Sequence, residues 1–396
     1  MTATARDPRL DALRGFALAG ILLVNIQSFL SGASNPMGYL PAAAGWADRA
    51  AYFVTAAFVV GKFMPLFGML FGAGFALLYD KLAAASDEPR AAYRRRLLFL
   101  LVFGLLHGGL LYFGDITHTY AIAGFMLLRY VGHDAANLGR ATARWWLAAV
   151  VWTLVLSMLA EVTPGPTAGV AGDDWTAELT ESVAFNAAAS VALGYAAQWP
   201  LRFEMFLWQA QANLLGLPMV IALMLTGMLA ERAGWLRDPA APAWDNARRI
   251  GLAIGLPCGL VYGAWSLINS EVTDNLMMPG AMMLLQTASL TLSFAYAVMI
   301  LRHAPSWLVG VLAPAGRMPL TNYLLQSLAM GLLLTGWGLA LGDALSYWQL
   351  SALALAIFTV QVLLSRWWLA RRAQGPLEAL WRAWTAGSGR RAPPPQ

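Results

Sequence analysis

Charge is what this chain has least of. Only 12% of its 396 residues are Asp, Glu, Lys or Arg and 59% are hydrophobic, against about 25% and about 45–50% in soluble domains. A soluble globular fold is excluded. A single cysteine, Cys258, sits in the apolar run GLAIGLPCGL, so neither an internal disulfide nor a cysteine-based metal site can form, and a buried inert thiol is its plain reading. The four histidines, His107, His118, His133 and His303, are too scattered for a zinc cluster, and no metal is expected. Also missing are a Walker loop, a dinucleotide fingerprint, an HExxH and a serine-hydrolase elbow, which removes support for ATP-driven transport and the familiar soluble chemistries.

What is present is apolar length. With 37 Gly, 20 Pro and 17 Trp, the chain suits broken, closely packed helices anchored at an interface. Apolar runs stand at 11–30, 51–79, 97–113, 119–131, 145–162, 203–230, 250–268, 276–301, 317–339 and 348–368. This predicts an all-α polytopic membrane protein of about ten transmembrane helices. The fourth run is short for a span; the second and sixth are long enough to tilt. One transmembrane domain over 1–389 is the simplest division, followed by a disordered tail from Arg390 to Gln396 (RRAPPPQ).

The positive-inside rule tests this reading. Segments assigned to the cytoplasm hold 23 of the 26 Lys and Arg, leaving Arg49, Lys62 and Arg202, while the opposite loops hold Asp48, Asp115, Asp173, Asp174, Glu178, Glu181, Glu271, Asp274 and Asp343. Both termini are therefore expected in the cytoplasm, and the net charge of +5 needs no nucleic-acid partner. Asp11 and Arg14 interrupt the first apolar run, so it reads as an uncleaved helix rather than a signal peptide. The longest outer loop, 163–200, is acidic and partly helical, and is placed to cap an outward cavity.

Ionisable groups inside a span are costly, and each is a functional candidate. In LDALRG, Asp11 and Arg14 share a helical face; they either pair to hold the helix start or form a cationic site for an anionic substrate. In GKFMPLFG, Lys62 beside Pro65 either snorkels to the interface or sits in a kinked, small-residue ligand pocket. In LHGGLLYFGDI, His107 falls near mid-membrane with open space from its glycines, as a general base requires, or it is a structural hydrogen-bonder. Asp115 lies eight residues on, about 12 Å along a continuous helix, too far to bond His107 and expected at the outer face. In GRMPLTNYLLQS, Arg317 stands at a helix start, and Asn322 and Gln326 share one face, either bonding between helices or lining a substrate path. Arg202, Glu204, Gln209, Gln211 and Asn213 form a weaker outer group.

These groupings, in this order and with the closing GPLEALWRAW, resemble the YeiB-like family of bacterial inner-membrane proteins, defined by its domain of unknown function 418. That family is similar in fold to the transmembrane acyltransferases that acetylate O-antigen and heparan glucosaminide. The resemblance implies an acyltransferase-like bundle in the inner membrane, with acyl-CoA as co-substrate rather than a tightly bound cofactor. It implicates Asp11 and Arg14; the histidine further along that first helix is absent, Val24 and Asn25 standing there, and His107 is the replacement base. Lys62, Asp115, Arg317, Asn322 and Gln326 follow by motif membership. The leading expectation is transfer of an acyl group, such as acetyl, to a sugar, lipid or small-molecule acceptor, with His107 and Asp115 catalytic and the other six residues binding. The alternatives are a transporter or lipid-handling protein using the same cavity, and a noncatalytic scaffold. Membrane lipids are the expected partners, and small-residue helix faces permit a homodimer.

Overall fold

The computed structural model describes residues 7–31, 40–41, 43–162, 188–236, 238, 240–269 and 279–386. The tail from Arg390 and most of the 163–200 loop lie outside them. The described residues form helices and no strands.

Helix α1 (Pro8–Ser31) runs down the centre of the molecule, packed on α12 (Ser306–Arg317). Two glycines set that distance: a Cβ on Gly15 would overlap the carbonyl of Leu312, and one on Gly316 would overlap the carbonyl of Asp11. The same reciprocal contact joins α3 (Phe63–Ala85) to α8 (Leu217–Arg232), where Gly72 faces the backbone of Met224 and Gly227 that of Met69. Small residues let helices approach closely where lipid supplies no hydrophobic drive.

Helices α2 (Trp46–Phe58) and α3 form one long span broken at 59–62, where Gly61 adopts φ of 79°. The break is closed from α11 (Pro279–Val298): Ser293 Oγ donates to the carbonyl of Lys62 at 2.5 Å and Tyr296 to that of Phe58 at 2.8 Å. Helix α7 (Tyr195–Leu215) meets α8 at a 61° bend beside Gly216. Helix α6 (Ala135–Val162) is peripheral, with Leu147, Val150, Leu154 and Met158 exposed; an apolar outward face is what a lipid-facing helix presents.

Among the described residues, six helices are long and apolar enough to cross a membrane: α1, the broken α2–α3, α6, α9 (Pro242–Ile250) continued through a π-turn into α10 (Leu256–Ile268), α11, and α14 (Tyr347–Leu369); the bent α7–α8 pair, taken as one span, makes a seventh. Ten runs were expected. The difference lies in three of them. Helix α4 (Pro89–Leu110) begins in the charged Arg94–Arg96 stretch, α5 (Thr117–Leu127) has 11 residues, and the run at 317–339 yields α13 (Pro319–Leu334) with 16, separated from α12 at Met318. Apolar composition marks burial as well as lipid contact: α5 is largely buried among its neighbours, while α4, 22 residues long, keeps Leu98, Val102, Leu105 and Leu106 exposed.

Basic helix ends gather on one side. Arg232 pairs with Asp80 at 2.6 and 2.7 Å, Arg302 with Asp245 at 2.9 Å, and Arg9 donates to the carbonyl of Leu301 at 2.6 Å. There α15 (Pro376–Ala386) lies against α4: Trp381 donates to the carbonyl of Arg96 at 2.8 Å while the Arg96 guanidinium stacks 3.3 Å over the Trp381 ring.

Candidate functional site

The site begins where α4 stops. After the glycine pair Gly108-Gly109 the amides of Leu111 and Tyr112 both donate to the carbonyl of His107, and the amide of Asp115 donates to that of Tyr112. The chain therefore turns back instead of continuing as a helix. Asp115 returns to His107, its Oδ2 lying 2.9 Å from Nδ1. The separation expected of a continuous helix is overturned, because the helix ends at Leu110.

Asp115 is the hub of this turn and has no solvent exposure. Thr117 Oγ1 donates to its carboxylate at 2.9 and 3.0 Å, the amide of His118 at 3.1 Å, and His118 Nδ1 lies 3.0 Å from Oδ1. Its own carbonyl accepts from Asn213 Nδ2 at 3.1 Å. Gly104 makes room for the hub: a Cβ there would overlap the His118 amide and stand 2.9 Å from Asp115 Oδ1. Gly108 gives Phe206 the same clearance. Beyond the turn, Arg202 donates to the carbonyl of Leu111 at 2.8 Å, closing the open end of α4.

On the other side of the ring, His107 Nε2 lies 2.9 Å from Ser327 Oγ on α13. Ser327, His107 and Asp115 thus form one hydrogen-bonded row, exposed by 1%, 2% and 0%. An ionised carboxylate only accepts hydrogen bonds, so it fixes the imidazole proton on Nδ1 and leaves the Nε2 lone pair toward the serine hydroxyl. That is how a base is oriented by a third group.

A cavity of about 2090 Å³ runs in front of this row. Helix α1 lines it from Leu10 to Ser28, about 27 Å at 1.5 Å per residue, close to the hydrocarbon thickness of a bilayer. Its middle is apolar, with Phe67, Leu70 and Phe71. Exposed Lys81, Asp87, Glu88 and Arg382 rim its charged end. Tyr112 and Tyr323 belong to its wall and touch the imidazole behind them, with ring centroids 6.4 and 4.8 Å from that of His107.

The expected site residues divide between wall and interior. Asp11 and Arg14 line the cavity and pair at 2.8 Å, and Arg317 lines it beside them, its Nη2 3.3 Å from the carbonyl of Ala373 and its buried Nε without a partner. Gln209 and Asn213 line the far end. Lys62 is fully buried away from the cavity, donating to the carbonyl of Ala56 at 2.9 Å with the Tyr262 ring 5.6 Å away. Asn322 and Gln326 join helices: Asn322 Nδ2 reaches the carbonyl of Ala315 and Ser365 Oγ, both at 3.0 Å; Gln326 Nε2 reaches the carbonyl of Leu18 at 3.3 Å and Gln361 Oε1 at 3.1 Å.

Three residues of the site carried no assigned role in the sequence reading. Ser327 closes the motif GRMPLTNYLLQS, and His118 enters the sequence reading only as one of four scattered histidines. Glu378, within GPLEALWRAW, accepts from the amides of Leu320 and Thr321 at 2.8 and 3.1 Å and from Thr321 Oγ1 at 2.6 Å. It caps the start of α13, where a negative charge is favoured, and so holds the helix that carries Ser327.

The chain has relatives that match it along nearly its whole length. Residues 230–388 match the family described as protein of unknown function DUF418. The chain is 27% identical to the uncharacterized protein YxaH of Bacillus subtilis (strain 168), over 95% of its own length and 93% of that protein. It is 30% identical to the uncharacterized protein YeiB of Escherichia coli (strain K12), over 96% of each. No solved structure matches it. The chain belongs to the YeiB-like DUF418 family.

Proposed function

We propose that this protein is an integral-membrane acyltransferase, taking an acyl group such as acetyl from a cytoplasmic acyl-CoA to a sugar, lipid or small-molecule acceptor. The observation that carries this reading is an imidazole oriented by a carboxylate, placed directly behind the wall of a membrane-length cavity. In this reading the bundle is of the acyltransferase kind and sits in the bacterial inner membrane. Both termini are in the cytoplasm, on the side where the basic helix ends gather.

The anionic carrier enters at the charged end, where Arg317 lines the wall and Arg14 is oriented by Asp11. Arginine suits phosphate because its planar donors bind two oxygens at once. The acyl arm follows the apolar middle of the cavity toward Tyr323. His107 takes the proton released when the acceptor is acylated, and Asp115 keeps its ring in place. Holding two reactants in a dry site is worth at most about 7–11 kcal/mol of the barrier. Purified protein in liposomes, given labelled acetyl-CoA and candidate acceptors, is expected to transfer label, and His107→Ala to lower the rate by about 10²–10⁴-fold. Transfer at an unchanged rate in that variant would remove His107 from the chemistry.

The length of the cavity favours one second reading, movement or handling of an amphiphilic lipid along it. Counterflow of substrate in liposomes without covalent change would select that reading; a rise in unfolding temperature with acyl-CoA but not with free acceptor would select transfer.

A further inference from the structure

We propose that Ser327 is a nucleophile that carries the acyl group as a serine ester between donor and acceptor. The inference rests on the acyl-transfer reading and adds to it a covalent step and a residue.

The first support is the direction of the hydroxyl. Helical serines and threonines in apolar surroundings commonly bond back to the carbonyl four residues before them. Thr142, Thr153, Ser157, Thr226, Thr335 and Ser351 do so here, at 2.8 to 3.1 Å. Ser327 is turned instead to an imidazole 220 residues away in sequence. The second is the order of the row: a hydroxyl, then a ring nitrogen with its lone pair forward, then a carboxylate held by Thr117 and His118. A weak nucleophile is activated in this way on unrelated folds, and the arrangement is recognised by geometry and roles. The third is position. Ser327 lies eight residues into α13, about 12 Å from its capped start. One turn before it is Tyr323, a wall residue of the cavity whose ring covers His107. The rings of Tyr323 and Tyr112 stand between the imidazole and the cavity.

The chemistry balances with an acyl thioester and a hydroxyl acceptor. Ser327 Oγ attacks the thioester carbon and its proton passes to His107 Nε2. The C–S bond breaks, the departing sulfur takes that proton and leaves as a thiol, and an ester remains on Ser327. The acceptor hydroxyl then gives its proton to Nε2 and attacks the ester carbon. Ser327 Oγ departs and recovers the proton. Burial suits the intermediate, because water would hydrolyse an exposed ester.

The test uses full-length protein in nanodiscs, incubated without acceptor with acetyl-CoA or with p-nitrophenyl acetate, a small ester that needs no carrier site. After acid quench, intact mass and peptide mapping are expected to find one acetyl group on the peptide holding Ser327. Ser327→Ala abolishes it, His107→Gln slows its formation about a hundredfold, and Tyr323→Ala speeds labelling by p-nitrophenyl acetate. Ser327→Cys, close in size, is the folding control and is expected to form a thioester released by neutral hydroxylamine. Acyl transfer to an acceptor with no trapped adduct, and with turnover retained in Ser327→Ala, would overturn the covalent step and leave acyl transfer standing. An adduct that no acceptor discharges would support the nucleophile and count against the transfer reading. Neither adduct nor transfer from either ester would overturn both.

Discussion

On one face of α13 the amides of Asn322 and Gln326 end on the carbonyls of Ala315 and Leu18 and on the side chains of Ser365 and Gln361. On the next face, one residue and about 100° round the helix, Ser327 meets His107 Nε2. Both faces are buried, polar and within bonding distance of their partners. They differ in what their protons can do. An amide bonded to a backbone carbonyl exchanges no charge, and the first face joins α13 to α1, α12 and α14. The second links a hydroxyl, an imidazole and a carboxylate, three groups between which a proton can move. Burial alone therefore does not separate scaffold from site; the chemistry of the terminal acceptor does.

The largest effect should come from closing the space that allows the second face to exist. In Gly104→Ala the added methyl overlaps the His118 amide and crowds Thr117 and Asp115. The turn must move, and with it the carboxylate that orients His107. Thermal unfolding is expected to show a loss of about 1–3 kcal/mol, with proposed turnover falling more steeply than that loss of fold explains. Normal stability together with normal turnover would mean that the turn is not part of the site.

A smaller effect is expected on the first face. Gln326→Leu removes the bond to Gln361 and that to the carbonyl of Leu18, and interhelical hydrogen bonds of this kind in membranes are worth about 0.6–2 kcal/mol. Unfolding should register that loss while turnover of the folded fraction stays unchanged. Turnover that collapsed in a stable Gln326→Leu protein would place the amide face in the machinery and dissolve the contrast.

The class of protein and the candidate polar groups were legible in composition and motif, as was the Asp11–Arg14 pair three residues apart on α1; the longer-range pairings were not. His107 and Asp115 stood in one motif, yet helical spacing set them about 12 Å apart, because apolar periodicity does not register where a helix stops. The stop comes from the Gly108-Gly109 pair and the turn after it. Ser327 was harder still, since no local pattern points to a partner 220 residues away. Glu378 shows the same limit: its motif was visible, but the helix start it caps lies 57 and 58 residues earlier. The number of spans is hard to read for the opposite reason. Short buried helices such as α5 are as apolar as spanning ones, and sequence alone does not say whether lipid or protein covers them.

Lys62 offers the smallest change and the sharpest control. It is a buried cation beside an aromatic ring, the kind of group that reads as a ligand site from sequence. Its Nζ is spent on the carbonyl of Ala56, near the broken end of α2, and it does not reach the cavity. Lys62→Met keeps most of the side-chain volume and gives up one hydrogen bond, while the cost of burying an ammonium disappears with it. The two terms oppose, so the unfolding free energy is expected to move by less than about 1 kcal/mol. Binding of acyl-CoA, read as a shift in unfolding temperature, should be unchanged, whereas Arg317→Ala should diminish it. Binding lost in Lys62→Met and kept in Arg317→Ala would reverse the assignment of wall and interior, because the cation that matters would then be the one the cavity does not touch.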